Sequence, residues 1–119
     1  MYGTSPEMLA KMYVPKSLKN QGDGFVLQIK NTIDSGSVSG VSKIAVDGQE
    51  LTLEGVTVQI GDKARPASEI TWSAPLYVGY GATLTIYVPG KLTHGEHAIT
   101  VQFNVPELGR IGFPVTDTV

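Results

Sequence analysis

His97-Ala98-Ile99-Thr100-Val101-Gln102-Phe103-Asn104-Val105 is the stretch whose reading decides the fold. Ile99, Val101, Phe103 and Val105 share one parity; Ala98, Thr100, Gln102 and Asn104 share the other. Successive side chains of a strand point to opposite faces. A period of two kept this long therefore predicts a half-buried antiparallel strand. The turn that leads into it is Leu92-Thr93-His94-Gly95-Glu96.

The alternation recurs outward from this strand. Phe25, Leu27 and Ile29 alternate with Gln28 and Lys30, Ile44 and Val46 with Lys43 and Ala45, and Val56, Val58 and Ile60 with Thr57 and Gln59. Leu84, Ile86 and Val88 alternate with Thr83, Thr85 and Tyr87, and Ile111, Phe113 and Val115 make a last short strand. Asp23-Gly24, Asp34-Ser35-Gly36-Ser37, Gly61-Asp62, Pro89-Gly90 and residues 106–109 read as turns or loops. Asp47-Gly48 predicts a two-residue hairpin, because both central positions of a type I′ turn need positive φ; Glu50-Leu51 begins the return strand. Residues 8–18 form a weakly patterned first strand. Residues 66–70 suit one helical turn, with Pro66 at its start and Glu69 in it. The sum is an all-β chain: an immunoglobulin-like antiparallel β-sandwich of about seven to eight strands, with a small barrel as the alternative.

The chain has 119 residues, enough for one domain. It has no cysteine, which excludes a disulfide scaffold, a thiolate nucleophile and any Cys-ligated metal centre. Nine basic and eleven acidic residues leave a formal charge of −2, with no basic stripe for nucleic acid. No apolar run approaches the ~20 residues of a membrane helix. The start, MYGTSPEMLAKM, lacks the basic-then-apolar pattern of a secretory signal, and a cytoplasmic location is expected.

Catalytic chemistry is sparse. His94 and His97 flank Glu96, but the segment reads as turn into strand and no third ligand is in view. His97 shares the parity of the buried face, so it is expected to be a structural corner residue whose ring N–H bonds back to the backbone, as a tyrosine does in other sandwiches. No carboxylate pair, Gly-x-Ser-x-Gly elbow, phosphate loop or dinucleotide fingerprint occurs. No catalytic or metal-binding residue is expected. Trp72, Tyr77, Tyr80 and Tyr87 are amphipathic aromatics that suit core and edge positions as well as they suit a sugar platform or protein interface.

Taken in order, Ser39-Gly40-Val41-Ser42, Val46-Asp47-Gly48-Gln49-Glu50, Leu92-Thr93-His94-Gly95-Glu96-His97 and Gly112-Phe113-Pro114-Val115 resemble the small (β) subunits of C-glycoside deglycosidases. Ser17-Leu18-Lys19-Asn20 and Asp23-Gly24-Phe25 are similar too. The resemblance runs from Met12 to Thr116, leaving residues 1–11 as an N-terminal extension to a single sandwich domain over 12–119. It implies a bacterial, cytoplasmic two-subunit lyase that cleaves the C–C bond between a sugar and an aromatic aglycone, such as a flavonoid, once the sugar is a 3-oxo form. The TIM-barrel α subunit would hold a divalent metal, manganese, the catalytic His and Glu residues and most of the aromatic C-glucoside. This chain would be the non-catalytic β subunit, without cofactor. Residues 72–81 and 110–115 are apolar and broken by Gly and Pro, so Trp72, Tyr77, Tyr80, Arg110 and Phe113 are expected at the partner interface. The alternatives are a carbohydrate-binding or adhesion module using Trp72, Tyr77 and Tyr80, and an enzyme in its own right with His94 and His97 on a metal.

Overall fold

The computed structural model describes residues 11–106 and 108–119. In chain order the strands are β1 (Lys19–Gln21), β2 (Gly24–Lys30), β3 (Gly36–Val38), β4 (Gly40–Val46), β5 (Gln49–Glu50) and β6 (Thr57–Ile60). They continue with β7 (Lys63–Pro66), β8 (Leu76–Val78), β9 (Thr83–Pro89), β10 (Glu96–Val105) and β11 (Gly109–Thr118). One sheet has the order β1-β2-β9-β6-β7, a second β11-β10-β4-β5, and β3 and β8 form a two-stranded ribbon. Every strand pair is antiparallel.

The alternation read from the sequence sets the core. Phe25, Leu27, Ile29, Val58, Ile86 and Val88 come from the first sheet; Ile44, Ile99, Val101, Phe103 and Phe113 from the second. They form one continuous apolar cluster, so the two sheets pack face to face as a β-sandwich. The long strands lie where the alternation placed them, β11 running beyond its expected length. The additional strands are three or four residues long: β1, β3, β7 and β8. Segments that short carry too little alternation to be read, so Gly36 and Ser37, expected in a loop, lie in β3.

Two further expectations are corrected. Part of the strand expected over 8–18 lies outside the described residues. Within the rest, only Tyr13 makes an isolated bridge, to Ile29, and regular pairing begins at Lys19. The last strand is not short: β11 pairs with β10 over its whole length, from Val105↔Gly109 to Glu96↔Thr118. Residues 66–70 hold a 3₁₀ turn, Ala67–Glu69, with Pro66 just ahead of it.

Asp47 and Gly48 both have positive φ, 52° and 84°, and Val46 pairs with Gln49 across them, giving the hairpin that Asp-Gly favours. Ser42 is the extra residue of a bulge in β4, opposite Gln102 and Phe103, and its hydroxyl bonds the Gln102 carbonyl at 3.2 Å and side chain at 3.0 Å.

Candidate functional site

Three places carry polar or aromatic side chains in unusual settings. The first is the segment 71–80, which carries three exposed aromatic side chains. Trp72 sits in a tight turn closed by reciprocal backbone bonds between Thr71 and Ala74, at 3.2 and 3.1 Å. Arg65, at the edge in β7, fastens that turn: its guanidinium donates to the carbonyls of Glu69 and Ala74, both at 2.9 Å, and of Pro75 at 3.1 Å. Trp72 is 85% exposed, Tyr77 65% and Tyr80 68%. Tyr77 points outward from β8, its neighbours Leu76 and Val78 inward. The Tyr80 backbone N–H is held by Ser35 Oγ at 2.9 Å. Trp72 is therefore not core; the structure displays it on a braced turn.

The second place is the polar end of the sandwich. His97 is buried; its Nδ1 lies 2.7 Å from Asp47 Oδ2 and its Nε2 2.8 Å from the Thr93 carbonyl. Asp47 Oδ1 also accepts the Ala98 N–H at 2.9 Å. Both partners of the ring are acceptors, so it bonds both only as imidazolium. The Thr93 carbonyl, then the Asp47 carboxylate, hold the His97 pKa above its ordinary value. The Ala98 N–H, then His97, hold the Asp47 carboxyl below its own. Nearby, the Tyr13 hydroxyl donates to Asp117 Oδ2 at 2.6 Å. Burial, with that bond, pushes Tyr13 up to about 12. Burial also works to raise Asp117, but bonds from Tyr13 and the Thr118 and Leu18 N–H groups outweigh it and hold it low.

The third is an apolar cleft of about 250 Å³ between the sheets at the end of β10 away from His97, walled by the ribbon. Ile29, Leu84, Phe103, Ile111, Phe113 and Val78 are among its lining, with Asp34, Ser35 and Ser37 nearer solvent. Buried Asn31 braces it: its amide donates to the carbonyls of Asp34, Val78 and Gly79 at 2.7, 3.1 and 3.3 Å and accepts the Ile33 N–H at 3.2 Å.

These places contain only part of what the sequence singled out. Phe113, expected at a surface, has the inward parity of β11, is 5% exposed and packs edge-to-face on Phe103. Arg110 is exposed on β11, in a different sheet from the ribbon. His94 is exposed while His97 is buried, and the described residues hold no group of three or more His, Asp or Glu that could bind a metal. Sequence reasoning missed Arg65, Asp47, Asn31 and the Tyr13–Asp117 pair. Each acts on a partner far along the chain or on a bare carbonyl, and neither leaves a local signal.

Residues 8–119, nearly the whole chain, match the family described as hydroxymethylglutaryl-CoA reductase, N-terminal domain. The chain belongs to the hydroxymethylglutaryl-CoA reductase N-terminal domain family. No curated protein matches it. The membership corrects the resemblance to C-glycoside deglycosidase β subunits. The segments behind that resemblance are chiefly turn signals, and the structure explains them without it: Asp47-Gly48 is a hairpin turn, and Gly95 has a φ of 129° ahead of a strand. Many antiparallel sandwiches need such residues at such places. The lyase, flavonoid and manganese expectations were implied by that resemblance and lose their basis with it. No helix among the described residues of this family member is long and apolar enough to cross a membrane.

Proposed function

We propose that this chain is a non-catalytic accessory domain or subunit that docks on a larger catalytic chain through Trp72, Tyr77 and Tyr80. The observation that carries the reading is the display of three large aromatics on a braced turn and ribbon, where a solvated surface would carry polar groups. The family supports it, since by its description it is one domain of a reductase. A cytoplasmic setting belongs to the same reading and is consistent with the absence of cysteine.

Purification from native extract under mild conditions tests it. A stoichiometric partner identified as an enzyme should accompany the wild-type chain and be lost from Trp72→Ala and Tyr80→Ala. Elution of the folded wild-type chain alone would sink the docking role. The second reading is carbohydrate binding, favoured by the same exposed rings, whose faces suit sugar stacking. Titration with simple sugars separates the two: binding by the isolated chain, abolished in Trp72→Ala, would favour the sugar.

A further inference from the structure

The apolar cleft is a space the sequence keeps open. At about 250 Å³ it exceeds the ~150 Å³ in which an apolar cavity stays dry and admits benzene. Gly36 lines it and leaves room on its wall. It lies in β3 with the same parity as inward-facing Val38 and pairs in register with Val78 of β8. Its φ lies outside the left-handed region, so its backbone does not require glycine, and a Cβ added there would meet nothing within 4 Å. A strand glycine with no conformational duty marks a place where something else approaches closely.

The lining says what approaches. Phe103 and Phe113 meet at 5.7 Å between centroids and 74° between planes, an edge-to-face pair onto which a further ring can stack. Met12, whose thioether suits aromatic contact, is among the residues lining the same space. The Asn31 amide is occupied by backbone groups, and the described lining holds no Lys or Arg. The one charged group there is the exposed Asp34 carboxylate, which disfavours an anion. We propose that the cleft is a binding site for a small neutral aromatic molecule of one or two fused rings. The site and the proposed docking face use different side chains, Val78 facing the cleft and Tyr77 the opposite side of the ribbon, and they adjoin where cleft-lining Ser35 holds the Tyr80 N–H.

Methyl NMR of the full chain, titrated with indole and with benzoate, tests this. Indole should give saturable shifts at Ile29, Val38, Leu84 and Ile111 but not at Val56 or Val88, and benzoate should bind at least about tenfold more weakly. Gly36→Leu places a side chain in the cleft and should weaken indole binding by about tenfold or more while the spectrum stays dispersed. If that variant fails to fold, Val78→Phe fills the same space from the paired strand. The proposal is overturned by absence of a saturable shift, by shifts confined to the surroundings of Trp72, by equal affinity for benzoate, or by unchanged affinity in a folded filling variant.

Discussion

His97 shows how much one side chain ties together. Its ring joins the turn before β10, through the Thr93 carbonyl, to the β4–β5 hairpin, through Asp47. Both bonds require the charged ring, which gives stability a pH dependence of definite sign. The His97 pKa is raised on folding, so its contribution is fully present below the unfolded value of about 6.5 and is lost as pH rises through the higher folded value. Asp47 is lowered on folding, so its contribution is present above about 3.9 and is lost as pH falls through the lower folded value. Urea unfolding should therefore show wild type losing stability between pH 5.5 and 8.5 relative to His97→Gln. Parallel curves for the two proteins would refute the imidazolium. The parity of His97 and its backbone bond could be foreseen from the sequence. Its bond to Asp47 could not, because nothing near His97 in the chain points to a residue 50 positions away.

At the scale of strands, two positions on the sheets make sharp demands. Gly24 pairs with Pro89 across β2 and β9, and the Tyr87 ring lies over it. A Cβ there would fall 2.7 Å from that ring and closer still to the Val88 carbonyl oxygen, which is backbone and cannot swing away. Gly24→Ala should cost about 1–3 kcal/mol by overpacking, read as a lower urea midpoint. Pro114 lies on the open edge of β11. Gly95 and Val119 exchange both backbone bonds, at 3.1 and 2.9 Å, and strict alternation along the unbroken register makes Thr100↔Pro114 a non-hydrogen-bonded pair. The missing N–H therefore costs the ladder nothing and interrupts the outward-facing edge. Pro114→Val should leave the monomer's unfolding midpoint within about 0.5 kcal/mol and introduce concentration-dependent association, read by sedimentation. An exclusively monomeric variant would show that the proline is not what guards the edge.

For the whole molecule, burial separates what holds the fold from what is left for partners. The radius of gyration, 13.3 Å, is that of one packed domain of this length, about 13.5 Å. Ile86 is completely buried between the sheets and Trp72 is 85% exposed. Denaturation should show Ile86→Ala losing about 2–5 kcal/mol and Trp72→Ala changing by no more than about 0.5 kcal/mol. Partner binding should show the reverse order of loss in proteins that remain folded. The sequence by itself determined the β class, the long strands other than the full length of β11, the Asp47-Gly48 hairpin and the inward parity of the core, because alternation and turn chemistry are written in neighbouring residues. Parity also placed Phe113 inside, against the interface role that its Gly/Pro-broken surroundings suggested. Only the tertiary structure decided that Trp72 is displayed, that Arg65 braces it and that a cleft lies open beside Gly36. Those outcomes depend on which strands become neighbours and on where bare carbonyls and empty volume fall, and neither is encoded at any fixed spacing along the chain.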